Sequence, residues 1–141
     1  MNPRVYISCF LLLLSACGHP EVQTKSTMPS SGIGYVKNLV ASALPKEVFD
    51  LCYYPPSANS DEVANFIIGS IKRAGSSGIF IVIGSENISK QKEIVKMVCS
   101  NFKQNKLVDS KIAVIGLQED RIEFESLVNS SGAKFIFIEF K

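Results

Sequence analysis

The chain has 141 residues, of which 15 are Lys or Arg and 13 are Asp or Glu, so its formal net charge is +2. This near balance gives no sign of a nucleic-acid-binding surface, and no nucleic acid partner is predicted. A chain of this length can form one small domain, and it contains no internal repeat.

Residues 1–16 are predicted to be a secretory signal peptide. Arg4 provides a basic start, and residues 6–14 form a mostly apolar stretch. A transmembrane helix needs roughly 20 apolar residues, whereas a signal peptide needs only about 7 to 15 of them before a cleavage site with small residues. The stretch here therefore fits a signal peptide and is too short for a membrane span.

The end of this segment resembles the lipobox of bacterial lipoproteins. Its order is apolar, small, small, cysteine, at Leu14, Ser15, Ala16 and Cys17. The resemblance implies that Cys17 is lipidated and becomes the first residue of the mature protein. Each buried methylene of the lipid adds about 0.8 kcal/mol, so several acyl chains would hold a domain at a bilayer. The alternative is an ordinary signal peptide with Cys17 left free. Gly18 resembles lipoproteins sorted to the outer membrane, and the inner membrane is the alternative location.

Residues 17–31 are expected to form a lipidated, flexible tether, because residues 19–31 are polar, contain proline and lack apolar periodicity. The only histidine, His19, lies in this tether, which argues against a metal site. The small domain then spans residues 32–141. Its two cysteines, Cys52 and Cys99, could form a disulfide in an oxidising periplasm or could be buried free thiols.

Strand and helix patterns alternate through the domain. A leading helix is predicted over 32–44, with Val36, Leu39, Val40 and Leu44 at helical spacing. Strands are predicted at residues 48–54, 78–84, 111–117 and 134–140. The first strand is stopped by Pro55 and Pro56. The second has five consecutive apolar residues between glycines, which is typical of a central strand covered on both faces.

Two or three helices are predicted between these strands. The first begins at an N-cap, Ser60, ends before Gly75, and has an apolar face of Val63, Phe66, Ile67, Ile71 and Ala74. The second begins at Ser89 and buries Ile94, Val95, Val98 and Phe102. A third is suggested over 121–128, with Ile122, Phe124, Leu127 and Val128 as its apolar set. The expected fold class is therefore α/β, a single sheet of about four strands with two or three helices packed on it in a sandwich.

No pattern of catalytic residues is recognisable in this domain, and no enzyme activity, cofactor or metal is predicted. The glycines of GSSG, residues 75–78, precede a strand instead of following one, so the helix N-terminus of a phosphate-binding loop is missing. Lysines of the second helix form either an ordinary solvated face, which we favour, or a ligand patch. These lysines are Lys90, Lys92, Lys96 and Lys103.

Residues 48–120 resemble the OmpA-like peptidoglycan-associated domain. Gly84 matches a glycine of that family's motif, Glu86 falls at its aspartate, and Ser89 matches its serine. Gln91 or Lys92 falls where the family has arginine. In that family the aspartate and arginine hold the charged ends of diaminopimelate, so the resemblance implies a peptidoglycan site at Glu86 and Lys92. A lysine cannot form the bidentate clamp of an arginine, and we therefore expect weak or lost wall binding.

The same departures are found in the CpaD-type lipoproteins of Tad pilus assembly, which this domain resembles. That resemblance implies a structural or assembly accessory of an envelope machine, a pilus or secretion system, with a secretin or pilus component as partner. A peptidoglycan-binding OmpA-like lipoprotein is the alternative, and a generic periplasmic α/β lipoprotein is a further one. A helix between the last two strands favours the further alternative, because a parallel crossover needs one and a hairpin does not. An all-parallel sheet would argue against the OmpA-like fold.

Overall fold

The computed structural model describes residues 32–75, 78–104 and 106–140. The predicted signal peptide, the lipobox with Cys17 and the tether lie outside the described residues. Four helices and four strands alternate along the described residues, beginning with a helix, and a short 3-10 turn, Gln118–Asp120, precedes the last helix. The elements are α1 Gly32–Ala43, β1 Asp50–Tyr54, α2 Ser60–Arg73, β2 Phe80–Ser85, α3 Ile88–Asn101, β3 Lys111–Gly116, α4 Arg121–Asn129 and β4 Lys134–Glu139.

The four strands form one sheet in the order β1-β2-β3-β4, and every neighbouring pair is parallel. The predicted α/β fold with a single sheet is therefore confirmed. Helix α4 supplies the crossover that parallel pairing of β3 with β4 requires. Parallel pairing throughout is the arrangement expected of the generic α/β alternative, and it argues against the OmpA-like topology.

The two faces of the sheet are covered unequally. Helices α2, α3 and α4 pack on one face, because right-handed crossovers that all advance in one direction place their helices on the same side. On the opposite face, Val36 and Val40 of α1 pack on the strands. All six residues of β2 are buried, which confirms the prediction of a central strand covered on both faces.

Two of the four predicted helix starts are late by one residue, those of α2 and α3. Asn59, not Ser60, is the N-cap of α2, and its side-chain oxygen accepts hydrogen bonds from the backbone nitrogens of Asp61 and Glu62. Asn87 caps α3 in the same way, so this helix begins at Ile88 and not at Ser89. Asparagine caps as well as serine does, and the sequence offers both residue types at these boundaries.

Two predicted core residues are exposed. Ala74 is the C-cap of α2 and lies beyond its last buried turn. Ile122 in α4 is 81% exposed, because it precedes the buried Phe124 by two positions and so lies about 200° around the helix from it. The buried contacts of α4 come from Phe124 and Val128.

Candidate functional site

Open parallel sheets bind ligands beyond the carboxyl ends of their strands, at a crevice where the strand order reverses. The strand order here runs from β1 to β4 without reversal, and α2, α3 and α4 share one face. The described sheet therefore has no such crevice. The predicted site residues Glu86 and Lys92 nevertheless lie at this carboxyl end, on the loop after β2 and on the first turns of α3.

The Gln91 side chain links the two central strands, β2 and β3, beyond the point where their backbone pairing ends. Pairing of β2 with β3 ends at Ile83, whereas β1 stays paired with β2 as far as Ser85. The Gln91 amide nitrogen donates to the backbone oxygens of Ile83 at 3.2 Å and Ile115 at 2.6 Å. Its oxygen accepts from the Ser85 backbone nitrogen at 3.2 Å, and the residue is 0% exposed. The amide thus replaces the missing part of the ladder.

Gly84 is explained by packing beside this gap. A β-carbon at residue 84 would lie 2.9 Å from Ile115 Cδ1 and 3.3 Å from Tyr53 Cδ2. Real side chains do not approach so closely, so only glycine fits without displacing the Ile115 side chain. The match of Gly84 to the OmpA-like motif therefore has a structural reason that does not involve a ligand.

Glu86 is hydrogen-bonded to a tyrosine of the neighbouring strand. The Tyr53 hydroxyl donates to Glu86 Oε1 at 3.1 Å, and both residues are partly buried. Burial raises the pKa of Tyr53 above its ordinary value, and the nearby carboxylate charge and the hydrogen bond raise this pKa further. Tyr53 packs against the cluster on the α1 face of the sheet, so this contact is directed towards that side.

The Lys92 side chain of α3 forms ion pairs with two carboxylates at the beginning of α4. Its Nζ lies 2.7 Å from Asp120 Oδ1 and 2.8 Å from Glu123 Oε2. The Lys92 side chain is 29% exposed and that of Asp120 is 12% exposed, so the contact is partly shielded from water. The hydrogen bonds to Asp120 and then Glu123 raise the pKa of Lys92. The ammonium group therefore joins α3 to the beginning of α4 and has its charge balanced locally.

The structure does not bring the two predicted wall-binding residues together. No hydrogen bond or ion pair between Glu86 and Lys92 is present in the part of the chain described, and each has partners from a different element. A ligand with two charged ends would have to displace Tyr53 from one residue and two carboxylates from the other. The assignment of these residues to wall binding stays a prediction.

An open groove of about 490 Å³ separates α3 from α4. Three lysines and two glutamates line it, so the positive charge is largely offset. Lys90 also donates from Nζ to the Pro56 backbone oxygen at 2.6 Å. This mixed charge is typical of the solvated face that we favoured over a ligand patch. The lining residues are Ser89, Lys90, Lys92, Glu93, Lys96, Glu123 and Leu127.

Cys52 and Cys99 are both free thiols in this structure, and a disulfide between them under oxidising conditions stays a prediction. Cys99 is buried and Cys52 is partly buried, and both contribute to the core on the face of α2, α3 and α4. Burial raises the pKa of each thiol to about 12, so both are protonated and unreactive near neutral pH. Both residues therefore contribute to the core, as the free-thiol alternative expects.

The described residues show neither a metal-binding cluster nor a membrane-spanning helix. They contain no group of three or more His, Cys, Asp or Glu side chains placed to hold a metal ion. Within the same residues, no helix has the length and apolar character needed to cross a membrane. No protein family, curated protein or solved structure matches the chain. The function has to be inferred from the residues themselves.

Sequence reasoning missed the structural part played by Gln91 and the partners Tyr53 and Glu123. The signal for Gln91 was present, because it lies three residues after Ile88 and three before Ile94, on the buried face of α3. A polar residue in a buried stripe predicts a hydrogen bond to the main chain. The pairing of Lys92 with Glu123 had no such signal, since it depends on how α4 packs beside α3.

Proposed function

We propose that this chain is a lipid-anchored envelope lipoprotein whose α/β domain is a non-catalytic docking module. In this proposal Cys17 holds the protein at the outer membrane, and residues 17–31 tether the domain. The domain would serve as an assembly accessory of a cell-envelope machine, a pilus or secretion system, and would bind a protein such as a secretin or pilus component. The lipobox supports the anchor, whereas the machine is suggested only by the motif resemblance to CpaD-type lipoproteins, which the all-parallel sheet does not support.

The main support for a non-catalytic function is that the polar groups at the carboxyl end of the sheet are engaged within the domain. Gln91 bonds to three backbone groups, Lys92 to two carboxylates, and Glu86 to Tyr53. Catalysis needs groups that are free to contact a substrate and, in general, to exchange protons with it. The part of the chain described offers no such set at this end.

Peptidoglycan binding is the alternative, and two observations disfavour it. The all-parallel sheet argues against the OmpA-like topology from which the site was inferred. Lys92 would also lose two short ion-pair contacts on turning towards a wall ligand. The proposal therefore assigns Lys92 to the join between α3 and α4.

Lipidation can be tested directly in a bacterium with two membranes. The full chain should acquire acyl groups, measured by mass spectrometry of its mature N-terminus, and should fractionate with membranes. Cys17→Ala should abolish both results, whereas Cys9→Ala, which lies in the predicted signal peptide, should leave them unchanged. A wild-type protein without acyl mass, or a lipidated Cys17→Ala variant, would disprove the anchor.

The docking function is tested by two measurements on the full chain, one in cells and one on the protein purified in detergent. Chemical cross-linking in cells followed by purification should recover an envelope protein, and recovery of none would contradict the docking function. Sedimentation with purified cell-wall sacculi should show no binding. If it shows binding that Glu86→Ala and Lys92→Ala both remove and Lys103→Ala does not, peptidoglycan recognition replaces the docking proposal.

A further inference from the structure

We infer that the outer edge of β4 is a self-pairing surface, at which two copies of this chain join β4 to β4 in antiparallel orientation. The result is one continuous sheet of eight strands, four from each copy, across a twofold axis. This inference concerns the domain itself and does not depend on the lipid anchor or on the proposed docking partner.

The first observation is an unpaired strand edge. Lys134 N donates to Ser110 O and Phe140 N donates to Gly116 O, so alternate residues of β4 direct their backbone groups towards β3. The residues between them, Phe135, Phe137 and Glu139, direct theirs outwards. No described strand pairs with β4 on that side.

The second observation is that this edge lacks the features that usually prevent pairing. Residues 135–138 are Phe, Ile, Phe and Ile, without proline or charge, and the first three are partly exposed. The opposite edge strand, β1, is one residue shorter and is followed directly by Pro55 and Pro56, whereas β4 has exposed charges only at its two ends, Lys134 and Glu139. Charges, prolines and short length are the usual protection of an edge strand. The sheet is thus protected at β1 and open at β4.

The third observation is charge complementarity, which indicates a second copy of the same chain as the occupant. Phe124 and Val128 of α4 face the core, and Glu123 and Leu127 line the groove towards α3. By helical geometry, Arg121 and Glu125 therefore lie on the side of α4 away from α3, towards the open edge, and both are exposed. One basic and one acidic side chain, one turn apart, can pair with their own copies across a twofold axis.

The register of this pairing follows from the position of Arg121. Its guanidinium carbon lies 5.9 Å from the centre of the Phe137 ring, which places it level with Phe137. Glu125 is about 6 Å further along α4, equivalent to about two strand residues, and is thus level with Phe135. If Ile136 of both copies lies on the twofold axis, Phe137 is opposite Phe135 of the second copy. Arg121 is then level with Glu125 of that copy, and Glu125 with its Arg121.

The spacing of the helices also fits this arrangement. Helix α4 packs over β3 and β4, and strands in one sheet are about 4.8 Å apart. The two α4 helices would therefore be about 10 Å apart across the axis, which is a normal distance for packed helices. Paired strands and facing helices then bury the apolar edge from both sides.

The test uses the full chain in detergent and two matched cysteine variants. Ile136→Cys should form a disulfide-linked dimer under mild oxidation, since residues on the axis in a non-hydrogen-bonded pair have Cα atoms about 4.5 Å apart, within disulfide range. Ile122→Cys, at an exposed position on the outer side of α4, is the control and should cross-link no more than wild type. A monomeric Ile136→Cys, or equal cross-linking of both variants, would overturn the inference.

Charge reversal provides a second test that does not disturb the strand. Sedimentation should show a wild-type dimer, and Arg121→Glu or Glu125→Arg alone should weaken it about tenfold, because each pair occurs twice across the axis. The double swap should restore the dimer, and circular dichroism should show that all variants are folded. A wild-type monomer, or no recovery in the double swap, would refute self-pairing. Cross-linking of Ile136→Cys to a different protein alone would identify a foreign strand as the occupant and would also overturn it.

Discussion

Replacing Gln91 by leucine should strongly destabilise the domain, although leucine has a similar volume and is a common residue in hydrophobic cores. The substitution leaves three buried backbone groups without a partner, the Ser85 nitrogen and the oxygens of Ile83 and Ile115. Each unsatisfied buried group costs about 1–3 kcal/mol, and partial relaxation of the strand ends recovers some of it. We therefore expect the free energy of unfolding to fall by about 3 kcal/mol.

This prediction can be checked by urea unfolding of the full chain, followed by circular dichroism. A fall of about 3 kcal/mol is a large part of the 5–15 kcal/mol typical of small domains, so the midpoint should shift clearly. Gln118→Leu is the matched control, because Gln118 is exposed, and its effect should stay within about 0.5 kcal/mol. Equal effects of the two substitutions would refute the idea that Gln91 joins the strands.

Three further predictions concern stability and reactivity. Lys92→Ala should lower the free energy of unfolding by about 0.5–1 kcal/mol at neutral pH, measured by urea unfolding. Because the pKa of Lys92 is raised in the folded state, this difference should persist below its ordinary value of 10.5 and disappear as the pH rises through the folded pKa. Gly84→Ala should cost about 1–3 kcal/mol through overpacking, whereas Gly34→Ala, with open space around it in α1, should stabilise by up to about 1 kcal/mol in thermal unfolding. Cys52 and Cys99 should react with a thiol reagent at pH 8 only after urea is added, and rapid reaction of the native protein would contradict their burial.

The fold could be predicted because its signals are local. Apolar runs such as residues 79–83 identify buried strands, and helical spacing such as that of Val36 and Val40 identifies a buried face. The helix before β4 favoured parallel pairing as an alternative to the OmpA-like arrangement, and the structure shows parallel pairing. The exposure of Ile122 was missed because a short helix with apolar residues on several sides does not define its buried face until its neighbours are placed.

The candidate site was predicted less well, because its properties depend on packing between elements. A sequence shows that Lys92 is positive, but the nearness of Asp120 and Glu123 follows from the way α4 crosses beside α3. The same applies to Glu86, whose partner Tyr53 is 33 residues away in the chain. Motif similarity identified the positions but not their partners within the domain, and wall binding by these side chains stays a prediction.

Two features limit what the domain can bind. At the carboxyl end of the sheet, Glu86, Gln91 and Lys92 already have partners within the domain, and the outer edge of β4 is not paired with a described strand. Small ligands need a concave pocket with free polar groups, and the open groove between α3 and α4 is lined by lysines and glutamates of which Lys92 and Glu123 are paired with each other. An open strand edge offers unpaired backbone groups, which are suited to another strand. Among the surfaces of the described residues, the β4 edge is therefore the one best suited to binding another protein. If β4 pairs with its own copy and the proposed lipid anchor and tether are present, the dimer would present two domains on two tethers, and a partner with two binding sites would bind both with increased avidity.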